Sequence, residues 1–187
     1  ARPNMQLFLQ AFSTLIPRVG ERPLLTPDPF SGLSIGLSNC RPTSRGEITL
    51  TSADPLAAPR ITANAFSTDQ DVAEMLAAVK FVRRIAAHDP LRSLIAEELR
   101  PGPQVQTDAD LIADFRARSG TVFHPSCTAR MGPDPASSVV DADLRVHGVA
   151  GLRVCDASVF PTLIGGNTNA PSILVGWMGA ERILQST

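Results

Sequence analysis

Cysteine is scarce: this 187-residue chain has three, far apart at Cys40, Cys127 and Cys155. An odd number at such spacing argues against a disulfide framework and favours a reducing compartment, so a cytoplasmic location is expected. No second Cys/His pair accompanies Cys127, which argues against a complete four-ligand zinc site; no metal is expected. No apolar run reaches the ~18 residues that span a bilayer, and no basic-then-apolar leader opens the chain. An excess of one charge is lacking too. The net charge of −1 gives no ground for a nucleic-acid or anionic-membrane partner. Neither G-x-G-x-x-G nor G-x-x-x-x-G-K-S/T occurs, so the chain brings no nucleotide-phosphate loop of its own. There is no internal repeat. The opening "ARPNMQLFLQAF" has no initiating Met and runs at once into apolar residues, which reads as the back part of a longer polypeptide.

What is present suits a globular chain. Apolar residues make up 43% and charged residues 19%, and the length suits one large domain or one and a half small ones, burying about two-thirds of the unfolded surface. Pro3 to Arg45 carries Pro17, Pro23, Pro27, Pro29 and Pro42, too many for helix interiors, and reads as irregular chain and strand. Within it "GLSIGLSNC" (Gly32 to Cys40) alternates Leu33, Ile35 and Leu37 against small polar residues. "EITLTS" (Glu47 to Ser52) alternates in turn, and the two are expected to pair as an antiparallel hairpin around "RPTSRG". "ADPLAAP" is a loop and "RITAN" a short extended piece.

A helix follows. Ser67 with Gln70 resembles a capping box, Asp69 and Asp71 favour the helix start, and Val72, Met75, Leu76, Val79, Val82 and Ile85 recur at helical spacing to about Ala87. His88 before Asp89-Pro90 ends it as a partner of the C-terminal dipole. A second helix is expected over Leu91–Glu98. A third is expected over Asp108–Arg118, capped by Thr107, with Leu111, Ile112 and Phe115 on one side. Strands are then expected at Thr121–Phe123, Val139–Asp141, Leu144–Val146 and Leu152–Cys155, with His147 solvated in a turn. The last element, Ala170–Leu184, is apolar nearly all round and is expected to be buried.

Two polar points carry chemistry. "TVFHPSCTARMG" delivers a titratable ring, His124, to the end of the expected strand. It reads as a core histidine with one satisfied hydrogen bond, or as half of a dyad with Cys127; no orienting acid or G-x-S-x-G supports hydrolase chemistry. "GGNTNAPS" places Asn169 at the expected N-cap of the last helix, with Pro171 in its first turn. Such a start can be plain capping, or can hold an anion or charge that develops in a reaction.

At these residues a family resemblance appears. "FHPSCTARMG" followed by "VVDADLRVHGVAGLRVCDASVFPTLIGGNTNAPSILVGWMGAERIL" resembles the C-terminal part of the glucose–methanol–choline (GMC) oxidoreductases, in their choline- and alcohol-dehydrogenase branch. The upstream "RPTSRGEITLTSADPLAAPRITAN" resembles the opening of that family's C-terminal domain, so the likeness covers roughly Ser38 to Thr187.

The resemblance implies an α+β fold, an antiparallel sheet backed by helices in a substrate-binding domain (1–138). A strand and helix in 139–187 would return to complete an FAD-binding domain. It implies FAD as cofactor and oxidation of a primary alcohol (choline-like, aliphatic or aryl) to an aldehyde. His124 would take the hydroxyl proton while hydride passes to the flavin, and Asn169 would be the second residue of the catalytic pair. Asp156 and Ala157 would contact the FAD chain, and Asn167, Thr168, Ala170 and Pro171 would lie near the isoalloxazine edge. The dinucleotide-binding unit of the family has no counterpart in these 187 residues, so the implied partner is the N-terminal FAD-binding portion, on the same or a separate chain. A non-catalytic binding module, or a hydroxynitrile lyase-like member, would fit the same motifs.

Overall fold

The computed structural model describes residues 2–15 and 26–186. The irregular chain expected at Pro17 and Pro23 lies outside the described residues. The rest divides into two units, one taking in 2–4, 40–71 and 119–186, the other 5–15, 26–39 and 72–118.

In the second unit, β1 (Met5–Gln10) and β2 (Ser34–Asn39) pair antiparallel. Leu7 stands opposite Leu37 and Leu9 opposite Ile35, so the apolar positions of β2 meet those of the opening segment. The helix α1 (Asp69–Ala86), which belongs to this unit from Val72 on, has Asp69 and Asp71 in its first turn and Arg83 and Arg84 in its last, each matched to the helix dipole. It buries Met75 and Ala78. α2 is a single turn (Leu91–Leu94), not the helix expected to Glu98. Ile95 is extended, and the Glu98 carboxylate is held by a forked Arg83 guanidinium at 3.0 Å on both arms, which draws the chain off the helical path. α3 (Asp108–Arg118) is as expected, with Leu111 and Phe115 buried; Thr107 Oγ1 accepts the Asp110 N–H at 3.1 Å.

In the first unit, β3 (Glu47–Thr49) pairs antiparallel with β4 (Arg60–Thr62). The hairpin expected between 32–40 and 47–52 therefore does not form; each strand has another partner. The cause lies in the loop between them. Cys40 N–H bonds the Asn4 carbonyl, and the Thr43 and Ser44 N–H groups donate to the two oxygens of Asp71 at 2.7 and 2.9 Å. The chain is thus tied down where it would have to turn. Burial alone would raise Asp71, which is 2% exposed, but hydrogen bonds from Ser44 and Thr43 outweigh it and hold the carboxyl at about 2. Gly46 is needed here because a Cβ would sit 2.3 Å from the Thr62 carbonyl oxygen. The hydroxyl over the start of α1 is Thr68, bonded by Asp71 N–H at 3.4 Å, one residue later than the expected Ser67.

Residues 119–186 hold the core of this unit: Val140, Leu144 and Val159, with Met131, Val146, Val154, Cys155 and Val175 packed on them. Three of the four strands expected there reduce to isolated bridges, Met131–Val140, Val140–Val146 and Arg145–Arg153. Thr121–Phe123 is not a strand, since Phe123 has a left-handed φ of 59°. His147 is half-buried, not solvated; its Nε2 lies 3.1 Å from the Gly132 carbonyl and 3.2 Å from Ser138 Oγ. The last helix, α4 (Asn169–Leu184), meets this core where Gly179 passes Cys155; a Cβ there would be 2.5 Å from Sγ. Val175 also packs on the core, but most of the apolar surface of the helix is exposed rather than buried: Trp177 is 66% exposed, and Ile173, Leu174, Met178, Ile183 and Leu184 are exposed as well.

Candidate active site around His124

Irregular but fully specified backbone positions His124. Phe123 N–H bonds Thr121 Oγ1 at 3.0 Å, and the left-handed Phe123 turns the chain just before the histidine. Pro125 then holds His124 away from helical backbone. After a second left-handed residue, Cys127 (φ 68°), the segment docks on the 3-10 turn Ala157–Val159. Cys127, Ala129 and Met131 donate their N–H groups to the carbonyls of Ala157, Ser158 and Val159 at 3.2, 2.9 and 2.8 Å. That turn is capped by Asp156, whose Oδ1 accepts the Ser158 N–H at 2.8 Å. Hydrogen bonds from the Ser158 side chain and backbone hold the Asp156 carboxyl below its usual value. Asp156 and Ala157 are thus structural neighbours of the histidine segment.

The ring itself is gripped at both nitrogens. Thr168 Oγ1 lies 2.9 Å from Nδ1 and Asn167 Nδ2 lies 3.0 Å from Nε2. The two polar points of the sequence therefore form one site. Cys127 is not the ring's partner, because its Sγ pairs with Ser126 Oγ at 3.4 Å. Neither is Asn169, whose exposed side chain follows the ring-binding pair at the first position of α4. The expected N-cap is also displaced by one residue. Thr168 is the N-cap: its carbonyl takes the first helical bond, from the Ser172 N–H at 3.0 Å. The Thr168 side chain does not cap the helix start; as in any helix, the first-turn N–H groups of Asn169 and Ala170 have no intrahelical acceptor, and Pro171 has no N–H to satisfy. Asn167 and Thr168 as partners of the ring had no local signal, since they stand 43 and 44 residues from it.

A separate open concavity of about 690 Å³ lies over Asp141, Arg145–Arg153 and Ser186, and does not include His124.

The described residues thus combine a mixed helix-and-strand scaffold with small antiparallel sheets, a histidine held against the start of the final helix, and an apolar helix face left open. The GMC oxidoreductase family model matches residues 42–176, and the chain belongs to that family. An alcohol dehydrogenase (acceptor) of Pseudomonas putida is 42% identical over 154 residues, 82% of this chain and 28% of that protein. An oxygen-dependent choline dehydrogenase of Serratia proteamaculans is 42% identical over 156 residues, 83% of this chain and 28% of that protein. A solved structure concerned with FAD modification in Aspergillus oryzae formate oxidase superposes with a TM-score of 0.79 at 32% identity, covering 86% of this chain and 28% of that one. The chain thus spans little more than a quarter of the length of the relatives it matches.

Proposed function

We propose that these residues are the substrate-side part of an FAD-dependent oxidoreductase that oxidises a primary alcohol to an aldehyde, with His124 as the base. The observation that carries this reading is the grip on the His124 ring beside the uncapped start of α4. The same place offers a proton acceptor and backbone N–H groups, the two things alcohol oxidation by a flavin requires of a protein. FAD would suit this chain's residues: Asn169 and Ala170 offer N–H groups and a partial positive charge that would stabilise negative charge on a bound flavin, and Asn167, Thr168 and Pro171 would border it. Bound FAD supplies the two-electron acceptor for the alcohol's hydride. His124 takes the hydroxyl proton at its ring, which an imidazole can do near pH 7.

In this reading, residues 1–138 belong to the substrate-binding domain, 139–187 complete the FAD-binding domain, and Asn169 faces the substrate as the second residue of the pair. The exposed face of α4 packs against the remaining FAD-binding portion of the enzyme, the expected partner. The substrate class, primary alcohols, follows the alcohol and choline dehydrogenases among the relatives. The test is anaerobic mixing of the complete flavoprotein with choline or benzyl alcohol. Bleaching of the flavin that slows sharply in His124→Gln supports the reading. Bleaching at the same rate in both proteins, or in neither, rejects it.

A further inference from the structure

Thr168 stands where a hydroxyl normally closes a helix end, and it does not close this one. An N-cap threonine bonds the N–H of the second or third helical residue. In α4 the third is Pro171, which has no N–H, so one of the two targets is missing from the sequence. The side chain is buried, 8% exposed, and its hydroxyl lies 2.9 Å from His124 Nδ1 instead.

On the far side of the ring the Asn167 Nδ2 group, 3.0 Å from Nε2, can only donate. With the amide so oriented, Nε2 is the acceptor, a neutral ring carries its proton on Nδ1, and that proton is donated to Thr168 Oγ1. We propose that Thr168 is a positioning residue that fixes His124 in its Nδ1–H tautomer, so that Nε2 carries the lone pair; the substrate hydroxyl reaches that lone pair by displacing the Asn167 Nδ2 donor that occupies it in this structure. This role rests on the reading of His124 as the base. The substrate O–H bond breaks and an Nε2–H bond forms. The Nδ1–H···Oγ1 bond then becomes charge-assisted, which stabilises the imidazolium without moving a second proton. Thr168, placed by resemblance at the cofactor, thus acts through the histidine.

Nitrogen-15 magic-angle-spinning NMR of histidine-labelled protein tests this at about pH 9, above the usual imidazole range. The His124 signals are assigned by their loss in His124→Gln. The wild type and Thr168→Ser are expected to show Nδ1 protonated and Nε2 bare. In Thr168→Val, which keeps the shape and removes the hydroxyl, the proton is expected to move to Nε2 in a large fraction of the rings. A wild-type ring with its proton on Nε2 overturns the proposal by itself, so the outcome does not depend on the valine variant folding. A valine variant that keeps the wild-type tautomer overturns it as well. In the complete flavoprotein, Thr168→Val should lower kcat about tenfold or more with little change in KM, and Thr168→Ser should restore it. If the tautomer follows the hydroxyl and the rate does not, the hold on the ring stands and the role of His124 as base is what fails.

Discussion

The helices α1 and α3 and the stretch 119–186 are built on different terms. In α1 and α3 the apolar positions recur every three or four residues, and Asp and Arg sit at the dipole-matched ends. In 119–186, up to the start of α4, backbone bonds run to carbonyls far away in the sequence, such as Cys127 to Ala157 and Met131 to Val159. Among the described residues, the five non-glycine ones with left-handed φ, Asn64, Phe66, Phe123, Cys127 and Leu144, fall in 40–71 and 119–186, and none in the helical unit. Such backbone is costly unless its surroundings dictate it, and it gathers where side chains must be aimed. The periodic region is scaffold, and the aperiodic one aims His124.

The largest break of this contrast would come at the ring. In the full-length enzyme His124→Ala should lower kcat/KM for an alcohol by about 10²–10⁴-fold, the usual reach of a general base, while flavin content survives. Loss of flavin with full activity in the remaining holoenzyme would make His124 structural. Next come the glycines. Gly46→Ala places a methyl 2.3 Å from the Thr62 carbonyl and should cost about 1–3 kcal/mol in denaturant unfolding. Gly120→Ala meets nothing within 4 Å and should stay within about 0.5 kcal/mol. Equal costs would show that the loop at 41–46 is not as tightly held as described.

Asp71 gives an effect of similar size with a defined pH dependence. Its folded carboxyl titrates at about 2 against an ordinary 3.8, so it contributes about 2 kcal/mol that is present above pH ~4 and lost as pH falls toward 2. Asp71→Asn should flatten that part of the acid-unfolding curve; an unchanged curve would remove the carboxylate from the account. The smallest effects compare two helix starts. Thr107→Ala should cost about 1 kcal/mol, since its hydroxyl caps α3. Asn169→Ala should change α4 stability by less than about 0.5 kcal/mol, because Thr168 and not Asn169 is its N-cap.

The same contrast explains what could be read in advance. The bounds of α3 were legible to the residue and those of α1 nearly so, because helix periodicity and caps are local. β2 was legible as a strand but its partner was not: pairing depends on Asp71, 27 and 28 residues beyond Ser44 and Thr43, pinning the loop. The expected strand Thr121–Phe123 failed because β-branched and aromatic residues read the same whether they pair or turn, and Phe123 turns. His124 and the start of α4 were singled out by residue type and by the family motifs. That they meet in one site was not, because Asn167 and Thr168 reach the ring through the fold. The apolar circumference of α4 is legible in the sequence as a surface that needs a cover; what covers it is not, since the periodicity of one helix carries no record of its partner.

Reconstitution tests the account most directly: the chain, the matching FAD-binding portion expressed separately, and their mixture, each passed over a sizing column with FAD and followed at the flavin absorbance. The account predicts that this chain alone elutes as an aggregate without flavin, through the exposed face of Ile173, Leu174 and Trp177. The mixture should elute as one species carrying flavin that an alcohol bleaches. A monodisperse, colourless monomer that stays colourless and separate in the mixture would contradict it.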